Sequence, residues 1–91
     1  MTYEKGIPEV DLHGLRPEEA LRRLSQGLHT ARVRGAERLV VITGRGLGNA
    51  AQEPILRRRV EAWLQSEEGR RAGARGFQVV ARGGALEVAL G

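Results

Sequence analysis

Arg38-Leu39-Val40-Val41-Ile42-Thr43-Gly44-Arg45-Gly46-Leu47-Gly48 is the stretch on which the fold turns. Four consecutive apolar side chains, three of them β-branched, follow Arg38, and such a run is the mark of a central, mostly buried strand. The glycines behind it stop the strand and open a loop that continues to residue 53. Upstream, residues 9–13 read as a short strand in which Val10 and Leu12 face one way and Asp11 and His13 the other. Between the two strands, residues 17–34 carry Ala20, Leu21, Leu24, Leu28 and Ala31 at helical spacing, with Pro17 at the start, Glu18 and Glu19 in the first turn and Gly35 as the stop. Strand, helix and strand in that order predict two parallel strands joined by a right-handed crossover.

Downstream, Pro54 opens a second helix through about residue 65, with Leu56, Val60, Trp63 and Leu64 on one face. Residues 66–76 are polar and contain Gly69, Gly73 and Gly76, which predicts an irregular connection. The end reads as a hairpin: Phe77 to Ala81, a turn at Arg82-Gly83-Gly84-Ala85, then Ala85 to Leu90 with Leu86, Val88 and Leu90 on one face. The order β-α-β-α-β-β has helices enough for one face of the sheet. The expected fold is an α/β two-layer sandwich with a mixed four-stranded sheet. Residues 1–8, with Gly6 and Pro8, form a lead-in, and residues 9–91 form the domain.

A chain of 91 residues has room for one such core. Its longest apolar run, Leu39 to Ile42, is far short of the roughly 18 residues of a membrane span. Met1 to Lys5 shows no apolar segment behind a basic cluster, so no signal peptide is expected, and the cytoplasm is the expected compartment. There is no cysteine, which removes disulfides, thiolate metal sites and a cysteine nucleophile. The net charge is +4, and 15 Lys and Arg face 11 Asp and Glu. Of the cations only Lys5 is not arginine. Arginine suits phosphate, whose oxygens match its planar fork, although a general compositional preference for arginine produces the same count. The excess lies mostly in the second half, which fits a polyanionic partner.

Two motifs carry chemistry: Asp11-Leu12-His13-Gly14 at the end of the first strand, and Thr43-Gly44-Arg45-Gly46-Leu47-Gly48 at the end of the second. Parallel strands bring both to one sheet edge, where ligands of open α/β sheets bind. A carboxylate two residues from an imidazole on one strand face can orient it and stabilise its charge, and histidine exchanges protons near neutral pH. Asp11 is the only aspartate among the acids, which hints at a geometric role. The competing reading makes Asp11 a cap of the turn before the helix, with His13 packed beside it. In the second motif, glycines let backbone N–H groups approach an anion, and Arg45 can grip a phosphate. The loop lacks the Lys-Ser/Thr of a nucleoside-triphosphate loop and the G-x-G-x-x-G of a dinucleotide site. Arg16 and Arg57 are further candidates for phosphate contact. Arg57, Arg58 and Arg59 fan around a helix and cannot all meet one ligand. His29 reads as a surface residue.

Val10-Asp11-Leu12-His13-Gly14-Leu15, the Glu18-Glu19-Ala20 helix and Thr43-Gly44-Arg45-Gly46 together resemble the small MutS-related (Smr) domain. The resemblance extends through Leu56-Arg57, Val60, Trp63-Leu64 and Gly83-Gly84-Ala85 with Val88 and Leu90, over about residues 8–90. It implies a fold similar to the C-terminal domain of translation initiation factor three. It also implies endonuclease activity on DNA (nicking) or on RNA, with Asp11 and His13 catalytic and Thr43, Gly44, Arg45, Gly46, Arg16 and Arg57 holding nucleic acid. The non-catalytic alternative is a nucleic-acid-binding module with repair or ribosome-associated protein partners. Cleavage of RNA needs no metal, whereas water attack on DNA calls for a divalent ion such as Mg or Mn near Asp11. Thr43 stands where the family's His-Gly-x-Gly motif has its histidine, and threonine can hydrogen-bond phosphate but cannot shuttle protons at neutral pH.

Overall fold

Seven elements follow one another in the structure, a computed structural model: β1 (Glu9–Asp11), α1 (Pro17–Val33), β2 (Arg38–Ile42), α2 (Gln52–Gln65), α3 (Glu67–Arg71), β3 (Ala74–Val80) and β4 (Ala85–Leu90). It describes residues 7–44, 52–80 and 84–91, and the side chains of α2 from residue 55 onward. Most of the lead-in, Arg45 to Asn49, the Pro54 side chain and the turn residues Arg82 and Gly83 therefore lie outside the described residues.

The sheet has four strands in the order β1-β2-β4-β3. β1 runs parallel to β2, with Val10 opposite Val41 and Asp11 opposite Ile42. β4 is antiparallel to both β2 and β3, with Ile42 opposite Ala85 and Phe77 opposite Val88. The mixed two-layer sandwich expected from the apolar pattern is thus the fold observed.

Alternation decides which side of the sheet the helices cover. Leu12, Leu39, Val41, Leu86 and Val88 point to one side and are fully or almost fully buried. They meet Ala20, Leu24, Leu28 and Ala31 of α1 and Leu56, Val60 and Leu64 of α2 in one cluster, with Trp63 and Phe77 at its margin. No helix among the described residues covers the opposite face. There Arg38 and Gln78 flank Glu87, donating to its two carboxylate oxygens at 3.2 and 3.0 Å. Cross-strand pairs of this kind are what an uncovered sheet face offers.

Gly27 sits in mid-helix, where it weakens α1 by about 1 kcal/mol relative to alanine. Its place is explained by proximity: a Cβ there would stand 3.5 Å from Val10 Cβ, so α1 lies close against β1 at this point. At the other end, the Gly35 N–H donates to Arg32 O and the Ala36 N–H to Ala31 O. That pair of bonds needs a left-handed residue after the cap, and Gly35 has φ of 80°.

Five places differ from the sequence reading. α1 ends at Val33 rather than 34, and α2 starts at Gln52 rather than at Pro54, which therefore lies inside its first turn. β1 ends at Asp11 rather than 13, because the chain turns at His13 and Gly14. The stretch 66–76 is not irregular: Ser66 caps α3, its hydroxyl accepting from the Gly69 N–H at 3.1 Å and donating to Trp63 O at 2.6 Å. Strand β3 starts at Ala74 rather than Phe77 and passes through a register shift between Ala74 and Gly76. Its early residues are ordered by pairing with β4 and not by an apolar pattern of their own.

Candidate functional site

The parallel pairing of β1 and β2 carries both motifs to one edge. The Leu12 N–H donates to Ile42 O at 2.7 Å and continues the ladder one residue past the strand end. The chain then reverses: the Leu15 N–H donates to Leu12 O at 3.1 Å, and Gly14 adopts φ of 80°. A left-handed residue is what a turn this tight requires, and glycine takes that conformation without steric cost. Arg16 stands at the N-cap of α1 with no side-chain cap, its carbonyl accepting from the Ala20 N–H.

This turn folds His13 back onto Asp11. One carboxylate oxygen, Oδ1, accepts from the His13 backbone N–H at 3.1 Å and meets the ring nitrogen Nδ1 at 2.5 Å. One oxygen thus both ties down the turn and meets the imidazole. Partial burial pushes the Asp11 carboxyl up. The hydrogen bonds from the His13 ring and N–H, with the charges of His13 and Arg23, outweigh this and hold it below its ordinary value. Both side chains remain more than half exposed, 62% for His13 and 52% for Asp11, so the pair is open to a ligand.

Arg23 is a functional candidate that sequence reasoning passed over as part of the polar face of α1. The signal was the position of Gly27. α1 runs against β1 with Gly27 beside Val10, so a residue one turn nearer the N-terminus lies toward Asp11. The charge of Arg23 acts on the Asp11 carboxyl accordingly.

Thr43 follows the side of Leu39 and Val41 and is fully buried. Its N–H and that of Gly44 both donate to Gly84 O at 3.0 Å, which bends the end of β2 onto the start of β4. Its Oγ1 is buried and has no hydrogen-bond partner among the described residues. By alternation Thr43 lies on the helix side of the sheet edge, whereas Asp11 lies on the side of Ile42, its partner in the ladder. The two motifs thus approach one edge from opposite faces. Arg45 and Gly46 lie outside the described residues. Arg57 is half-buried on α2, with its Nε 3.5 Å from Glu61 Oε2 at a geometry too poor for a hydrogen bond. No described polar contact joins it to Asp11 or His13. His29 is exposed, as expected.

Among the described residues no three His, Asp or Glu side chains cluster in a metal-binding arrangement. At this edge the described carboxylate already commits one oxygen to His13. The donor set does not fit a divalent-ion site by itself. No helix among the described residues is long and apolar enough to cross a membrane.

The comparisons with known proteins bear on this edge and on the whole fold. A search of curated proteins gave no match. Among solved structures, the chain is similar to the crystal structure of the Smr domain of Thermus thermophilus MutS2, at 31% identity and a TM-score of 0.71. That likeness covers 93% of this chain and 99% of the other. It is also similar to the solution structure of the SMR domain of NEDD4-binding protein 2, at 28% identity and a TM-score of 0.65, covering 100% of this chain and 93% of the other. The family model described as Smr domain matches residues 10–90, from β1 to the last residue of β4 and across both motifs, and the chain belongs to the Smr domain family.

Proposed function

We propose that this chain is a nucleic-acid endonuclease in which the Asp11–His13 pair moves the proton. Smr domains are known for nucleic-acid binding and nuclease-related roles. The observation that carries this reading is the single carboxylate oxygen that binds both the His13 ring and its backbone N–H. A ring held in this way keeps one tautomer, with Nδ1 donating and Nε2 able to accept a proton. On RNA the pair needs no other nucleophile. Nε2 takes the proton of a 2′-hydroxyl, O2′ bonds to the adjacent phosphorus, and the bond to the 5′-oxygen breaks. Asp11 stabilises the imidazolium that results, and the same proton can then be returned to the leaving oxygen. DNA offers no 2′-hydroxyl, and the described donors do not by themselves build the divalent-ion site that water activation calls for, so RNA is the substrate this geometry favours.

The phosphate is held at the adjoining loop. Gly44 and Gly46 allow close backbone approach and Arg45, Arg16 and Arg57 supply charge, while the fully buried Thr43 side chain supports the end of β2 rather than touching the ligand. Arg23 adds positive charge beside the pair. A second reading, a binding module without cleavage, is favoured by Thr43 itself. It replaces the family histidine with a group that cannot titrate, and leaves His13 as the lone proton shuttle at the described edge.

The two readings separate on incubation of the purified protein with end-labelled single- and double-stranded RNA and DNA, each with magnesium and with EDTA. RNA cleavage that persists in EDTA is the expected result. Binding without cleavage of any of the four would replace the nuclease reading with the binding module.

A further inference from the structure

Three arginines converge at the pole of the molecule opposite the Asp11–His13 edge. Arg32 comes from the last turns of α1, Arg70 from α3 and Arg75 from the first residues of β3. With Gly73, Ala74 and Gly91 they line a cleft of about 340 Å³ that contains no acidic side chain. The described ion pairs of the chain leave all three unmatched. Glu67 is taken by Arg71, Glu87 by Arg38 and Glu61 by Arg57, and none of the described pairs includes Arg32, Arg70 or Arg75. All three are exposed.

The backbone is shaped to hold one of them. Gly73 has φ of 112°, and a Cβ there would run into the Arg32 side chain, its Nε at 2.8 Å. The missing side chain lets the Arg32 stem lie across the turn between α3 and β3, where its Nη1 donates to Ala72 O at 3.4 Å. Arg75 lies against Gly91 in the same way, where a Cβ would meet its guanidinium. Three guanidinium groups lining one cleft that has no acidic side chain favour an anion that joins them, and the guanidinium fork matches phosphate oxygens.

We propose that this arginine cleft is a second phosphate-binding site, which grips the sugar–phosphate backbone of nucleic acid away from the bond being cut. It rests on the nucleic-acid reading of the Asp11–His13 edge and adds a measurable reach to it. Asp11 is level with Ile42 and Ala85, whereas Gly91 is six residues further along β4. At about 3.3 Å per residue the two poles stand about 20 Å apart along the strands, and the sideways step from β1 to β4 and β3 lengthens this. About 6 base pairs at 3.4 Å each only match that strand-wise part, and A-form RNA rises less per pair, so a 6-base-pair RNA duplex falls short and only a longer one can occupy both.

The test compares wild type with the triple variant Arg32→Gln, Arg70→Gln and Arg75→Gln, which keeps the stems and removes the charge. Binding to hairpin-capped RNA duplexes of about 6 and about 20 base pairs is measured over a range of salt. On the long duplex the variant is expected to bind about 10- to 100-fold more weakly at low salt. The slope of log affinity against log salt should fall by about 0.9 for each phosphate that the variant no longer neutralises. On the short duplex it should match wild type. An unchanged slope and affinity on the long duplex would overturn the second site. If the triple variant melts early, Arg70→Glu alone carries the test, since Arg70 has no described side-chain partner; its slope should fall by about one on the long duplex and stay at the wild-type value on the short one. The two proposals fail separately. Salt slopes that respond to the variant while no substrate is ever cut would sink the nuclease reading and leave the cleft. Cleavage with slopes that do not respond would sink the cleft and leave the nuclease.

Discussion

His13 and Asp11 illustrate how much one oxygen atom can decide. Asp11 Oδ1 closes the turn and aims the ring, and so a neutral amide at position 11 should loosen both. Asp11→Asn is expected to lower thermal stability near neutral pH. The sign of its pH dependence follows from a carboxyl held below the ordinary 3.8 in the fold. Such a group stabilises above its unfolded value and loses that contribution as pH falls through its folded value. The gap in melting temperature between wild type and Asp11→Asn should therefore be full at about pH 6 and close below about pH 3.8. A gap that stays constant or widens on acidification would contradict the placement. Thr43 makes a different case. Its hydroxyl is buried without a partner among the described residues, so Thr43→Val should leave the melting point unchanged or raise stability by up to about 1 kcal/mol, and should leave nucleic-acid affinity unchanged. A loss of about 1–3 kcal/mol in urea titration would mean that the hydroxyl is already bonded inside the fold. The nearness of Asp11 and His13 was legible in the sequence from their spacing, but not its cause: His13 lies in the turn after β1 rather than on the strand face assigned to it. That Asp11 also bonds the His13 N–H was not legible either, since it depends on the chain turning immediately after β1.

Elements with a strong apolar period were legible to the residue. β2 and β4 have the bounds their patterns predict, and α1 differs by one position at its C-terminus. α3 was hidden because five residues supply little periodicity and three nearby glycines argue for a loop; the capping serine at 66 was the overlooked signal. β3 was read short because its first residues, Ala74-Arg75-Gly76, gain their strand conformation from β4. Gly27 links the two kinds of information. Its Cβ would meet Val10 only at ordinary van der Waals distance. Gly27→Ala should therefore fit and stabilise α1 by up to about 1 kcal/mol through helix propensity. Gly27→Leu should instead force α1 from β1 and destabilise by about 1–3 kcal/mol. Equal unfolding midpoints for the two variants would show that the close approach of helix and strand is not real.

Across the whole molecule, one parallel strand pair gathers the chemistry and the antiparallel pair beside it spaces the two ends. The covered face holds the core, and the proposed site lies at the sheet edge after β1 and β2, where the charge of Arg23 acts on Asp11. That Asp11 and Thr43-Gly44 come to one sheet edge was legible because β-α-β units have one common geometry. The arginine cleft was not legible, because Arg32, Arg70 and Arg75 are distant in the chain and meet only when α1, α3 and β3 pack. The central claim is that His13 moves the proton for phosphodiester cleavage at this edge. The measurement that tests it most directly is the single-turnover rate of RNA cleavage by His13→Ala, taken together with its affinity for the same RNA and its melting curve. The predicted result is a folded protein with nearly unchanged affinity and a cleavage rate lower by about 10²–10⁴-fold, while His29→Ala cuts at the wild-type rate. A folded His13→Ala protein that cuts as fast as wild type would contradict it.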